Sequence, residues 1–365
     1  MDIGFPDIRK MMDDAVSEGI FAGGSILVSI WGKKIFRADS GLANIYKGTP
    51  IGTDTIFDLA SLTKPLATSL CVMKLVLDGV IRFESTLGDM IPGFTGGKRN
   101  ISVLDLLCHK SGFPAHRPYY QVLSTLDPEH RKAGLRKLLF EEQLESPVGK
   151  KTVYSDLGFM ILRMIVEEVS GFSFEKCFME WIAAPLGLKN IFFYGSSMPV
   201  LPSGRFAATE DCPFRRRLMQ GETHDLNAYY SGGYDGHAGL FGSINDVNSI
   251  IGLLSDVYRG GDQTVICCLK SEARKFFEIP SGYERAPGFD APSKEGSSSG
   301  HFFSDISVGH LGYTGTSFWL DIKTGLCVIL LTNRVHPTAL NINIRRFRPL
   351  IHDRVVQSLS KSGLI

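Results

Sequence analysis

The chain has 365 residues, 44% of them hydrophobic, 21% charged and 10% aromatic, and carries a net charge of +1. That is enough apolar material for one large mixed domain or two subdomains, and the near-zero charge offers no electrostatic footprint for nucleic acid or an anionic membrane. Seven scattered cysteines, with Cys267 and Cys268 adjacent and no C-x-x-C, argue against a disulfide framework, a zinc site or a redox motif.

The pattern predicts a helix over roughly 6–18 and a hairpin of strands 25–32 and 33–41, turning at "WGK". Helical periodicity follows over 60–79, 102–108, 131–143 and 156–170, whereas 202–214 reads as loop. "SKEGSSSG" at 293–300 is the one low-complexity patch and reads as a surface loop. Strands are predicted at 316–322 and 326–333, joined at "KTG", with a final helix over 339–359. The basic clusters Arg215–Arg217 and Arg345–Arg348 are short and read as solvated faces. The expected class is α+β. An antiparallel sheet subdomain is drawn from both chain ends (1–57 and 235–365), flanked by terminal helices. A mostly helical subdomain (58–234) is inserted, with the active site at the junction.

"SILVSIW" is far shorter than the roughly 20 residues of a membrane-spanning helix, and the N-terminal stretch lacks the apolar core of a signal peptide. With reduced thiols, this gives the expectation of a cytoplasmic chain without a membrane span.

"FDLASLTKPLATSL" places Ser61 and Lys64 on one face at the head of an apolar run. Pro65 is tolerated only in a first turn and Asp58 can cap, so the helix is expected to start near Ser61. A lysine at the mouth of a buried helix is desolvated, which lowers its pKa toward the neutral base that a serine nucleophile requires. The S-x-x-K spacing alone is weak, because Ser173–Lys176 and Ser358–Lys361 share it. Those two lie in a charged helix start and a polar tail and read as structural.

Two other stretches sharpen the reading. "VYSDLGFMILRMIVEEVSG" sets Tyr154 before an amphipathic helix, with Asp156 a natural N-cap and Gly171 a natural stop. Tyr154 is either a packing residue or a phenol that exchanges protons with Ser61. "SVGHLGYTGTSFWLDI" reads as a glycine-rich turn entering a strand, with His310 just before the strand and Gly312 and Gly315 after it. It is either a plain hairpin turn or a place where main-chain N–H groups approach an oxyanion. "SGGYDGHAGLFGS" is a second glycine-rich turn, in which Ser231 and His237 either line a cleft or simply build the turn.

"SLTK", "YSD" and "HLG" occur in the order of S-x-x-K, Y-x-N and K/H-x-G, and the chain resembles the serine β-lactamase and penicillin-binding-protein superfamily. The resemblance is to its class C β-lactamase-like group of esterases, D-aminopeptidases and DD-peptidases. "ISVLDLLCHKSGFP", "PLGLKNIFF", "HDLNAYY" and "GHAGLFGSINDV" extend it over nearly the whole length. It implies a β-lactamase/transpeptidase-like fold and a Ser61 acyl-enzyme formed on a small ester, amide or muropeptide-like substrate. Lys64 would be proton acceptor and electrostatic partner, Tyr154 general base and acid, and His310 the third-motif residue. The backbone N–H groups of Ser61 and Tyr313 would form the oxyanion hole, with Asp156 and Gly312 beside them; no metal or cofactor is implied.

Two departures stand out. Asp156 replaces the commoner Asn and tends to keep Lys64 protonated; His310 replaces Lys and is only conditionally cationic near neutral pH. Both weaken the expectation of efficient β-lactam hydrolysis and favour esterase-like chemistry, with a D-amino-acid or muropeptide peptidase or a weak β-lactamase as alternatives. A non-catalytic binding protein retaining the fold is the alternative of another class. The oligomeric state stays open.

Overall fold

A computed structural model describes residues 5–195, 198–261 and 270–365; the adjacent Cys267 and Cys268 lie outside them. The two ends of the chain build one sheet. Strand β1 (Gly23–Ile30) turns into β2 (Lys33–Asn44) through Trp31 and Gly32, both at positive φ (50° and 75°), the turn geometry that matches the twist of paired strands. In chain order follow β3 (Thr49–Pro50), β4 (Ile56–Asp58), β5 (Ile191–Phe193), β6 (Ala208–Cys212), β7 (Arg217–Gln220) and β8 (Leu240–Ser243). The last three are β9 (Val308–Leu311), β10 (Ser317–Leu320) and β11 (Leu326–Thr332). The large sheet is antiparallel, in the order β3-β2-β1-β11-β10-β9, with β1 against β11 from Gly24↔Thr332 to Ile30↔Leu326.

Alternation along these strands splits their side chains between two cores. Ile26, Val28, Trp319 and Val328 face the terminal helices Pro6–Ser17 and Ile344–Lys361, where they meet Ile8, Met12, Phe347 and Ile351. Leu27, Phe318, Ile329 and Leu331 face the larger core with Val247, Ile250 and Leu254 of helix Ile244–Arg259. Helices Ser69–Leu77, Val103–Leu107, Arg131–Glu141 and Asp156–Ser170 surround that core in the middle of the chain.

Three sequence expectations need correction. The stretch 202–214 is not all loop, because β6 pairs with β7 there; a five-residue strand reading "ATEDC" has little apolar alternation to betray it. His310 does not precede a strand but sits inside edge strand β9, opposite Phe318 of β10. Its neighbour Gly309 looks like a turn residue yet is there for packing: a Cβ would lie 2.5 Å from the Trp319 ring. And 293–300 is more than surface, since Ser299 is buried and Ser298 accepts from Trp319 Nε1 (3.2 Å).

The nucleophile helix is irregular. A tight turn Ala60–Leu62 leads into a wide turn Lys64–Thr68 before the regular helix Ser69–Leu77, as expected where Pro65 supplies no N–H. The window Ala60–Leu77 is apolar and long enough to cross a bilayer by composition, but 78% of it is buried inside the protein. Its apolarity is that of a core helix.

Candidate active site

Strand β4 lies beside β8 in a small sheet, β4-β8-β5, and delivers the chain to Ser61. Between them Ala60 adopts left-handed φ (49°), and Asp58 Oδ1 accepts from Ala60 N (2.8 Å) to hold that turn. From across the sheet Thr314 Oγ1 donates to Asp58 O (2.8 Å) and Thr316 Oγ1 to Leu59 O (3.0 Å). The approach is so close that a Cβ on Gly312 would lie 1.9 Å from Thr316 Oγ1 and 2.8 Å from Leu59 O. Glycine at 312 is therefore a steric requirement for bringing the β9–β10 turn to the nucleophile turn.

Lys64 is completely buried and its Nζ meets three acceptors: Ser61 Oγ at 3.1 Å, Asp156 Oδ1 at 2.7 Å and His237 O at 3.3 Å. Its ammonium also lies 4.8 Å from the centre of the Tyr154 ring. Burial acts to lower the Lys64 pKa, but the Asp156 carboxylate, with help from Tyr154, overcomes it and holds the amine above its ordinary value. Of the two opposing sequence expectations, neutralisation by burial and retention of the proton beside Asp156, the second prevails because the counter-charge is in direct contact. Burial likewise opposes charge on Asp156, and Lys64 and His116 outweigh it, keeping the carboxyl well below the usual carboxylate range. Asp156 is free for this role because it is not the cap. Ser155 caps helix Asp156–Ser170 by accepting from Gly158 N (3.2 Å), while Gly171 ends the helix at φ 73° as expected.

Tyr154 is held by a residue the sequence reading did not single out. His109 O accepts from Val153 N (2.8 Å), His109 Nδ1 accepts from Ser155 N (3.0 Å), and the ring lies against Tyr154 at 4.6 Å. On the other side Tyr154 meets His310 (5.8 Å) and the Arg285 guanidinium (5.6 Å). The only advance signal was His109's place in "LLCHKSGFP", since nothing local to either residue encodes a contact across 45 positions.

His310 is buried, its Nδ1–H donating to Leu311 O (2.9 Å). Burial, with the charges of Lys64 and Arg285, pushes it well below the ordinary histidine value, so the ring is neutral and not the conditional cation expected from sequence. Its Nε2 is buried and has no hydrogen-bond partner among the described residues. The amides of Ser61 and Tyr313 also make no hydrogen bond among the described residues. Tyr313 itself is clamped: its carbonyl accepts from Arg334 Nε (2.8 Å), and its ring stacks on His224 (5.5 Å).

Positive charge at this end comes from arginines. A cavity of about 530 Å³ is lined by Ser61, Tyr154, His310, Tyr313, Arg334, Arg345 and Arg348. Arg348 is buried and donates to Thr316 O (2.8 Å) and Gly312 O (3.2 Å). Burial and the neighbouring Arg334 and Arg345 charges press its pKa down to about 9. The cluster 345–348, expected on a solvated face, thus turns inward at Arg348 because the C-terminal helix packs on the β9–β10 turn. A second cavity of about 560 Å³ opens on the other side of Ser61, between Tyr154, Asp156, Tyr120, Phe214, Asp225 and Tyr313.

The structure therefore brings Ser61, Lys64, Tyr154, Asp156, His310, Gly312 and Tyr313 to one place from three segments of chain. It separates them from the look-alikes: Ser173 Oγ caps a helix by accepting from Lys176 N (3.3 Å), and Ser358 lies in the last turns of the C-terminal helix. "KTG" at 323–325 turns at the opposite end of β10. Ser231 Oγ donates to Ala228 O (3.0 Å) and Tyr234 O (3.1 Å), a turn-building role.

The beta-lactamase family model matches residues 8–351. The chain belongs to the beta-lactamase family. A curated relative from Bacillus subtilis (strain 168), N-acetylmuramyl-L-alanine amidase, is 31% identical over 366 residues, covering 90% of this chain and 81% of the relative. A putative D-alanyl-D-alanine carboxypeptidase of Escherichia coli (strain K12) is 30% identical over 334 residues, covering 83% and 76%. Among solved structures, EstCE1, a hydrolase with promiscuous acyltransferase activity, superposes with a TM-score of 0.71 at 21% identity, covering 94% of this chain and 98% of that one. The α+β architecture is that of this family, and the protein is a serine hydrolase of the beta-lactamase family.

Proposed function

We propose that Ser61 is acylated by a small ester or amide substrate and that Lys64 and Tyr154 handle its proton. The observation that carries this reading is the Lys64 amine held between Ser61 Oγ (3.1 Å) and Asp156 Oδ1 (2.7 Å) inside a water-excluding core. Ser61 Oγ attacks the carbonyl carbon as its proton passes to the Tyr154 oxygen, which enters the step as a phenolate paired with the Lys64 ammonium, and the developing oxyanion faces the Ser61 and Tyr313 N–H groups. Tyr154 returns the proton to the leaving alcohol or amine, and a water then attacks the acyl-enzyme by the reverse route. Because Lys64 keeps its charge, its part is to orient Ser61 and to stabilise negative charge on the phenol oxygen, with Arg285 assisting from the far side of the ring.

A specific observation favours a second reading, a peptidase acting on D-amino-acid or muropeptide-like substrates. The neutral His310 cannot hold a substrate carboxylate by charge, but Arg334, Arg345 and Arg348 line the same cavity and can. The amidase and carboxypeptidase names of the relatives point the same way. A purely binding role is disfavoured because Ser61, Lys64 and Tyr154 are all retained. A cytoplasmic location remains part of this proposal.

The deciding experiment is labelling with a fluorophosphonate and a fluorescent penicillin, read as an adduct mass on the Ser61 peptide. It is paired with p-nitrophenyl butyrate hydrolysis by Ser61→Ala. We expect the adduct on Ser61 and a loss of about 1,000-fold or more in the alanine variant. An alanine variant that keeps most of its activity would show the nucleophile to be another residue.

A further inference from the structure

His237 is buried beside Lys64, yet its ring has no part in the acyl-transfer steps above. The chain around it is fastened to the nucleophile helix at three points. Thr63 Oγ1 accepts from Leu240 N (3.1 Å), Lys64 Nζ donates to His237 O (3.3 Å), and Thr68 Oγ1 donates to Gly236 O (2.6 Å). A Cβ on Gly236 would lie 2.1 Å from Phe159 O, so this segment also runs flat against helix Asp156–Ser170. The His237 ring ties the same segment to a third element: Nε2 lies 3.0 Å from Asp225 Oδ1, and that carboxylate also accepts from Ala228 N (2.8 Å). Nδ1 of the ring is buried with no hydrogen-bond partner among the described residues. A side chain needed only to fill this space would be better apolar, because an unpaired buried polar atom is costly.

The three acceptors around Lys64 explain what the ring is for. The charged amine has three N–H bonds and no lone pair. With Asp156 Oδ1 and His237 O taking two of them, the third is left facing Ser61 Oγ. We propose that His237 and Asp225 are positioning residues for Lys64, the Asp225-anchored imidazole fixing the His237 carbonyl so that the third N–H of the ammonium points at Ser61. This rests on the Ser61 acyl-enzyme reading.

Charge balance gives the pair a second effect. Facing His237 are Asp225, Asp156 and Lys64; facing Lys64 from its other side are Tyr154, His109, His310 and Arg285, and His116 lies 3.6 Å from Asp156. Burial opposes charge on the His237 ring, but Asp225 and Asp156 outweigh it and raise its pKa. A protonated ring offsets one of the two carboxylates; an uncharged one leaves excess negative charge that holds the proton on Lys64.

The test uses His237→Gln, Asp225→Asn and the double variant. Asparagine at 225 preserves both the shape and the helix cap. With p-nitrophenyl butyrate we expect kcat to fall about tenfold in each single variant with KM changed less than about twofold. The pH midpoint of kcat should be displaced in both, and the double variant should be no worse than either single one. An activity loss that follows the folded fraction, with the pH profile of the residual activity unchanged, would overturn the proposal, as would additive losses. Fluorophosphonate labelling separates the two levels. A wild-type protein unlabelled at Ser61 removes the underlying reading, whereas labelling at wild-type rates in both variants removes this inference alone.

Discussion

On one side of Ser61 the cavity wall carries Arg334, Arg345 and Arg348; on the other it carries Tyr120, Phe214, His116 and Asp225. The two spaces are similar in size, about 530 and 560 Å³, and share Ser61, Tyr154 and Tyr313 at their boundary. What differs is how charge is compensated. The carboxylates of the second side are each paired, Asp156 with Lys64, Asp225 with His237 and Glu210 with His224. On the first side the one acid, Asp290, is bound to Arg285; among the described residues none of the three arginines forms a salt bridge, Arg334 and Arg348 donating to carbonyl oxygens and Arg334 lying 4.5 Å from the centre of the Tyr313 ring. A region that crowds like charges without counter-ions is prepared for an anion from outside, and a region of closed ion pairs is prepared to keep its geometry. On the proposed reading, anion recognition falls to one side and proton transfer to the other.

After Ser61→Ala, the substitution expected to have the largest effect tests the boundary the two sides share. Tyr154→Phe should lower kcat about 100-fold for a neutral ester and for a peptide with a free carboxylate alike, with little change in Tm, because the ring packing on His109 survives. A collapse of Tm with no specific rate effect would return Tyr154 to a packing role. Next comes Arg345→Ala, which should raise KM about tenfold for the carboxylate-bearing substrate and less than about twofold for p-nitrophenyl butyrate. Equal effects on both substrates would erase the distinction between the two sides.

The smallest expected effect is on stability against pH. Burial depresses His310 and His109 well below the ordinary histidine value and His352 to about 4, so their contribution is complete above the unfolded value near 6.5. It is lost as pH falls from there toward the folded values, at up to about 1.4 kcal/mol per pH unit for each histidine. His237 has the opposite sign: its raised pKa gives stability that is present below about 6.5 and lost as pH rises through its folded value. Tm should therefore drop between pH 7 and pH 5, and His237→Gln should steepen that drop. A Tm that rises toward pH 5 would contradict the neutral assignment of His310.

The same contrast marks what could be read from the sequence. Ser61, Lys64, Tyr154 and His310 were legible through the short family motifs they match in order along the chain, and strands β1, β2, β10 and β11 through alternation and turn residues, because both signals act over a few neighbours. Arg348 gave no such signal: its burial depends on the C-terminal helix packing over Gly312 and Thr316. Nor did His109, whose partners are 44 and 46 positions away. Asp156 was misread as a cap for a local reason, since Ser and Asp are both good caps and only the fold shows that Ser155 takes the position. The charged state of Lys64 was foreshadowed by Asp156, whereas the neutral state of His310 depended on a burial that no spacing encodes.

The hydroxyls of Thr314 and Thr316 reach back 256 and 257 residues to the carbonyls of Asp58 and Leu59. Contacts of such sequence separation are among the slowest to form. During synthesis Ser61 is made early, but the turn that presents it closes only after the late strands dock. On the proposed reading, acylation at Ser61 requires the completed fold, and a half-finished chain would be spared covalent capture by substrate.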